Sequence, residues 1–456
     1  MDSIASLLTK PVAVLGGGVT GKAIVDFLLS RGAEFDLFDE KVVQISGRTS
    51  LLEIKDPHHY GVAVVSPGWR VDHPLVEQLR AAGIKVISEI DLAWLLKLEV
   101  APDQRWVALT GTNGKTTTIQ MLESIFAASA FRGLACGNVG EPVIAALMAK
   151  EPYDVLALEL SSFQIEWSRS PHFVASAILN IAEDHIDWHG SFDAYANAKM
   201  RLLTMSDTAI LNASDSEVVA RSTAFTGEKI FYSLDTPGPG ELGLVEEILV
   251  DRAFGVSPQE AQMIAELADI RPQVPYNVSN ALAAAGLSLA LGISHESVKA
   301  GLNTFELDHH RLELVLEHDG ISWINDSKAT NPHAAIAGIL SHTSVVWIAG
   351  GLAKGAKMDQ LVKRAAPRLK AAILIGSDRE LIAEALAIHA PHIPIYRIDS
   401  DGSSDTLMSA IVAQAKKIAA TGDAVLLAPA CASMDQFSSY SHRGELFAQS
   451  VLRDVR

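Results

Sequence analysis

Short apolar runs alternate along this chain with stretches in which apolar residues recur every three or four positions, the pattern of buried strands interleaved with amphipathic helices. The segment PVAVLGGGVTGKAIVDFLLSRG reads as a buried strand, a glycine turn and a helix, and a second strand follows in FDLFDE. Another strand, YGVAVVSPG, ends in a turn, and IKVISEIDLAWLL closes a first domain before the break at Pro102 and Asp103. A fresh unit begins at RWVALT, passes through GTNGKTT into a helix and continues with the strand-like DVLALELSS and FVASAILN. Its far end reads as helical, in NVSNALAAAGLSLALG and HESVKAGLNTF. From GISWINDSKATN onward the strands VVWIAGG, AAILIG and DAVLLAPA again alternate with helical segments. The pattern predicts an α/β protein of three domains, residues 1–103, 104–307 and 308–456, built on largely parallel sheets covered by helices.

Composition agrees with that division and narrows the partners. A chain of 456 residues, 48% hydrophobic and 20% charged, has enough apolar material for more than one core. The net charge of -17 opposes binding to nucleic acid or an anionic membrane, and no Lys/Arg run offsets it. Anionic substrates in this field need local cations or Mg2+. Cys136 and Cys431 are the only cysteines and lack metal-like spacing, so neither a disulfide framework nor a structural zinc is expected. MDSIASLLTK lacks the basic start and apolar core of a signal peptide, and no apolar run reaches about 18 residues, so a cytoplasmic protein without membrane insertion is expected.

The strongest local signal is Gly111-Thr112-Asn113-Gly114-Lys115-Thr116-Thr117, placed after a strand and opening a helix. Glycines there permit tight turns, backbone N–H groups cradle phosphate, Lys115 brings a cation and Thr116 a hydroxyl for Mg2+. Leu109 stands where the first glycine of the full phosphate-loop pattern belongs, and the competing reading is a glycine-rich helix start. Gly16, Gly18 and Gly21 form a second fingerprint, with Asp39 and Glu40 ending the next strand where a ribose-binding acid belongs. By itself this suggests a nicotinamide-dependent oxidoreductase, or else a close-packed turn holding no ligand.

Glu159 ends one apolar strand, and Asn180, Glu183, Asp184 and His185 follow another, so both groups could meet beside the Lys115 loop at the sheet's C-terminal edge, where carboxylate oxygen and imidazole nitrogen suit Mg2+. His185 taken alone reads as an ordinary loop or core histidine. Tyr195, Ala198, Lys199 and Arg201 fall on a helix, where Lys199 by itself reads as a surface lysine. His309, His310 and Arg311 precede Asp326, Ser327 and Lys328; Arg311 and Lys328 suit phosphate and Asp326 suits ribose or metal, unless the group is a solvated charge cluster. His58 and His59 read as surface loop.

In order, GGGVTG, SPG, TGTNGKTT, GNVG, ELSSFQ, NIAEDHIDWHGS, YANAKMR, NVSNALAA, HHRLE, NDSKATN, AGGLAK and CASMDQF resemble the Mur ligase family across essentially the whole chain. The resemblance implies a Rossmann-like N-terminal domain holding a UDP-sugar, a central P-loop ATPase domain and a Rossmann-like C-terminal domain that closes to bring an amino acid. It implies ATP-dependent joining of D-glutamate to UDP-N-acetylmuramoyl-L-alanine through an acyl phosphate, by a cytoplasmic monomer serving peptidoglycan synthesis.

Carried over by position, Val19, Thr20, Asp39 and Asn138 would contact the UDP substrate. Gly111, Thr112, Asn113, Gly114, Lys115, Thr116, Thr117, Asn277, Arg311 and Asp326 would bind ATP, and Lys328, Thr330, Lys354, Ser433, Met434 and Tyr440 would surround the glutamate. Thr116, Glu159, His185 and Lys199 would hold two Mg2+ ions, with Lys199 as a CO2-derived carbamate. Lys115, His185, Lys199 and Arg311 would carry the catalysis. Three departures surround the adenine and amino-acid sites: Tyr276 replaces a frequent histidine, Leu352-Ala353 a common Asp-Gly, and Tyr440 a frequent Phe. L-glutamate is therefore the alternative amino acid.

Overall fold

The computed structural model describes residues 3–255, 260–307, 309–399 and 402–455; the domain start expected at Asp308 lies outside them. By its internal contacts the chain divides into two compact units, Met1–Ile181 with Asp193–Phe305, and Ala182–Phe192 with Glu306–Arg456.

The first unit contains two large sheets and a two-stranded ribbon, Gln44–Ile45 with Arg48–Thr49. One large sheet is parallel, in the order Phe35–Phe38, Val12–Leu15, Val62–Val65, Lys85–Ser88. Its two central strands are VAVL and VAVV, buried at every residue, which explains why they read as unbroken apolar runs. The helix Val19–Ser30 follows the first of them through a turn in which Gly16 has φ +104°. A Cβ on Gly21 would stand 1.8 Å from the Gly16 carbonyl oxygen, so the third glycine of the fingerprint is fixed by helix-on-turn packing. Gly21→Ala should destabilise the first unit by about 1–3 kcal/mol, read as a lower urea midpoint at unchanged m-value.

The other sheet has nine strands, with Arg105–Thr110 between Phe173–Ile178 and Val155–Glu159. The two far-end segments expected as helices are helices, Pro275–Ala290 and His295–Thr304, but between them and Ile178 the sheet continues through strands that the sequence reading did not assign. Residues Ser206–Asn212, Glu228–Tyr232, Glu241–Val245, Ile248–Asp251 and Gln262–Glu266 extend it, the last three as antiparallel neighbours. Each of these strands buries only two or three residues, as in EKIFY and ELGLV, so their apolar runs are short and the signal weak. The helix Pro275–Ala290 lies against them through small residues, and a Cβ on Gly286 would come within 2.9 Å of Ile210. Carboxylates join the two sheets. Glu89 accepts from the Ile144 amide at 2.7 Å, and Asp91 from the Arg169 and Ser170 amides at 2.9 and 2.6 Å. Complete burial pushes the Glu89 carboxyl up to about 7.

The second unit is built on a six-stranded sheet, Glu313–His318, Ile321–Asn325, Ala424–Leu427, Val345–Gly350, Leu369–Ile375, Ile395–Arg397. Only the first pair is antiparallel. One face is covered by Pro332–Leu340, Asp359–Ala365 and Arg379–His389, the other by Ser404–Ile418 and Tyr440–Asp454. Among the described residues no helix is long and apolar enough to cross a membrane.

Candidate active site

In the first unit, the strand Arg105–Thr110 delivers the chain into the loop 111–114 and the helix Lys115–Ala127. Gly114, at φ +84°, is the N-cap and offers no side chain, so the first-turn amides of a 13-residue helix face outward as an anion site. The Lys115 ammonium folds back on its own loop, donating to the Gly111 and Thr112 carbonyls at 2.8 and 3.0 Å. Thr116 and Thr117 are buried in the first turn.

Lys199 is not the surface lysine that its sequence setting suggests. It is 2% exposed on the helix Phe192–Met200, and its Nζ donates to the Gly111 carbonyl at 2.9 Å and to Thr110 Oγ1 at 3.2 Å. The Tyr195 ring lies beneath it at 4.8 Å, and the Tyr195 hydroxyl is 2.9 Å from Thr112 Oγ1. Two lysine ammonium groups thus share one loop carbonyl. Arg201 begins the 3-10 turn Arg201–Met205 and bonds the Glu166 and Ser168 carbonyls, a structural role.

Glu159 ends the neighbouring strand at 1% exposure. Its Oε1 accepts from Asn138 Nδ2 at 3.0 Å, while its Oε2 is buried with no hydrogen-bond partner. A buried carboxylate oxygen without a donor is costly unless a cation completes it, and that oxygen fits Mg2+. Asn277 offers a similar clue. It is fully buried in the helix Pro275–Ala290, its Nδ2 donating to the Arg271 and Pro272 carbonyls, while its Oδ1 has no partner. Asp39 accepts from the Gly17 and Lys41 amides at 2.7 and 3.1 Å, and Val19, the first residue of the helix Val19–Ser30, is 74% exposed. His58 and His59 form a short 3-10 turn with little burial.

The second unit gathers the remaining candidates. His185 sits on the segment Ala182–Phe192, which groups with this unit; it has φ +51° and lies 3.6 Å from the Asp184 carboxylate. A cleft of about 210 Å3 is lined by Glu183, Asp184, His185 and Ile186, by Thr330 and Asn331, and by residues 353–356, which include Lys354. Three loops are tied there. The Ala430 amide donates to the Ala329 carbonyl at 2.9 Å, and Leu352 and Ala432 exchange backbone bonds at 2.9 Å. Lys354 adopts φ +50°, and Lys328 lies 5.4 Å from the Tyr440 ring. Ser433 is buried and Met434 is 68% exposed.

Sequence reading passed over Arg443. It is 0% exposed, and its guanidinium donates to Ser327 Oγ and O at 2.9 Å and to the Cys431 carbonyl at 3.3 Å, fixing both the NDSKATN and the CASMDQF loops. Burial lowers its pKa to about 10, which leaves it charged at neutral pH. Nothing in its setting, HRGELF, distinguishes it from a surface arginine on a helix.

Asp326 is buried beside Arg311, with the Leu312 amide donating to it at 3.3 Å. Desolvation outweighs both partners and pushes its carboxyl up to about 7. The folded state therefore holds this proton more tightly than the unfolded chain, whose aspartates titrate near about 4. The stabilisation belongs to the protonated form and is lost as pH rises through the folded value. Asp326→Asn removes that loss. Thermal melts should show the variant gaining on the parent by about 2–4 °C or more between pH 5 and pH 8; a constant gap would contradict the assignment.

Residues 109–288 match the Mur ligase middle domain, and residues 310–431 match the Mur ligase glutamate ligase domain. The chain is 45% identical to the UDP-N-acetylmuramoylalanine--D-glutamate ligase of Thermobifida fusca, over 97% of this chain and 98% of that one. It is 44% identical to the protein of the same name from Streptomyces coelicolor, with the same coverage. Among solved structures, a pseudomurein peptide ligase type C from Methanothermus fervidus aligns with a TM-score of 0.61 at 18% identity, covering 98% of this chain and all of that one. MurF from Acinetobacter baumannii aligns equally well, at 18% identity over 99% and 92% of the two chains. These two likenesses concern the fold.

Proposed function

As the chain belongs to the Mur ligase family, we propose that it joins D-glutamate to UDP-N-acetylmuramoyl-L-alanine at the expense of ATP, releasing ADP and phosphate in peptidoglycan precursor synthesis. The observation that carries this reading is identity of 45% with the Thermobifida fusca ligase from end to end. The nicotinamide reading of Gly16, Gly18 and Gly21 gives way, because the fingerprint lies in a chain whose remaining length matches ligases.

In this reading residues 1–103 hold the UDP substrate through Val19, Thr20 and Asp39, while Asn138, within residues 104–307, holds its peptide-bearing portion. Residues 104–307 bind ATP through the loop 111–117 and Asn277, and residues 308–456 bring glutamate through Lys328, Thr330, Lys354, Ser433, Met434 and Tyr440. Arg311 and Asp326 reach the nucleotide. The enzyme works as a cytoplasmic monomer.

The substrate carboxylate is a poor electrophile. Its oxygen attacks the γ-phosphorus of ATP, the bond to ADP breaks, and an acyl phosphate forms on the alanine carbonyl. The glutamate amine then attacks that carbonyl carbon, loses a proton and expels phosphate as the amide forms. First-turn amides of the helix Lys115–Ala127 and the ammonium of Lys115 bind the phosphoryl oxygens, and Arg311 offsets charge as it spreads over them. Mg2+, as one ion or two, neutralises phosphoryl charge when bound. Its proposed ligands are Thr116, Glu159, His185 and a carbamate on Lys199; the bare Oε2 of Glu159 supports the first carboxylate. The carbonyl shared by Lys115 and Lys199 supports the carbamate, since carboxylation turns one of two crowded cations into an anion.

The test is phosphate release from ATP with Mg2+ and UDP-N-acetylmuramoyl-L-alanine, adding D-glutamate, L-glutamate, L-alanine or meso-diaminopimelate separately. Stimulation by D-glutamate alone is expected. Stimulation by L-glutamate alone would move the specificity to the altered positions Leu352, Ala353 and Tyr440, and no stimulation would overturn the substrate assignment.

A further inference from the structure

Asn180 follows the strand Phe173–Ile178 and stands two residues before the segment Ala182–Phe192. Its side-chain amide closes a ring of two hydrogen bonds with the backbone of Asn113: the Asn113 amide donates to Oδ1 at 2.8 Å, and Nδ2 donates to the Asn113 carbonyl at 3.0 Å. The Thr112 amide adds a third bond, to the Asn180 carbonyl at 3.0 Å. These residues are the middle of the phosphate loop, and both hydrogen-bonding ends of the side chain are engaged there. The sequence expectation that Asn180 could lie beside the Lys115 loop agrees with these bonds, which occupy its amide with the loop backbone.

We propose that Asn180 is a positioning residue that holds the phosphate loop in its nucleotide-receiving form. The inference rests on the reading of residues 111–117 as the ATP loop. A loop closed by Gly114 at φ +84° has many backbone conformations open to it, and its amides bind phosphate well only when already aimed. Leu179 and Asn280 pack close against Gly111 and Gly114, while at the half-buried Asn113 the paired bonds to Asn180 fix the peptide orientation. The amide is matched to its partner because it donates and accepts at once. A carboxylate only accepts and would repel the Asn113 carbonyl; a neutral carboxylic acid accepts through one oxygen and donates through the other, reproducing the amide.

That difference supplies a test that general destabilisation does not imitate. ADP affinity is measured by calorimetry for the parent, Asn180→Asp and Asn180→Ala between pH 5 and pH 8, with thermal melts in parallel. At pH 8 both variants should bind ADP about tenfold or more weakly than the parent. As pH falls, Asn180→Asp should regain most of that loss relative to the parent, while Asn180→Ala should not. The same split should appear in KM for ATP more than in kcat. Parental affinity in Asn180→Asp at every pH, or a loss that pH leaves unchanged, would overturn the brace. Failure of the parent itself to bind ADP would remove the ATP-loop reading, and this inference with it.

Discussion

Lys115→Ala lowers ligation turnover by roughly 100- to 1,000-fold, the range found when one preorganised donor to a developing oxyanion is removed. The Lys115 ammonium is held over its own loop by the Gly111 and Thr112 carbonyls, so it needs only to exchange loop oxygens for phosphoryl oxygens when ATP arrives. Removing it leaves the helix intact, since alanine is the best helix former. The melting temperature should therefore stay near that of the parent while phosphate release collapses. Lys115→Arg keeps the charge but is too broad for the space between those carbonyls, and should recover only part of the activity. Undiminished turnover in Lys115→Ala would contradict the phosphate role outright.

Lys199→Ala should cost a similar factor and, unlike the first variant, respond to added acid. The side chain is 2% exposed and ends against Thr110 Oγ1 and the Gly111 carbonyl, so truncation leaves a buried gap there. If the working form is a carbamate, a short carboxylic acid such as acetate can carry a carboxylate back to the same place. Turnover should then rise with acetate concentration and saturate, whereas Lys115→Ala should not respond. Failure of every short acid to restore turnover would count against the carbamate and leave Lys199 as a structural cation. Mass spectrometry is the weaker test, because a carbamate is labile.

The strand-turn-helix units around GGGVTG and GTNGKTT were legible because their strands are buried on both faces and read as continuous apolar runs. The strands between Ser206 and Glu266 were not, because each buries only two or three residues among exposed and half-exposed ones, too short an apolar run to stand out. Lys199 was readable only through family resemblance, since burial of an ammonium depends on carbonyls from a loop far away in sequence. Arg443 lacked even that signal. Asn180 was noticed for its place after a strand, but its two bonds to Asn113 belong to tertiary geometry. Asp39, Glu159 and the Lys115 loop lie at C-terminal strand edges, where sequence order alone points to ligand chemistry.

Arg443 also fixes a schedule. The loop at Ser327 is held by a guanidinium that is synthesised 116 residues later. At ribosomal speeds of about 5–20 residues per second, that is a wait of roughly 6–23 s. During it the nascent C-terminal sheet lacks the tie that shapes the loops at Ser327 and Cys431, so on the proposed reading glutamate affinity should arise late and abruptly in translation. Ribosome-bound chains stalled before the helix Tyr440–Asp454 would have the phosphate loop in place but no ordered counterpart for the amino acid.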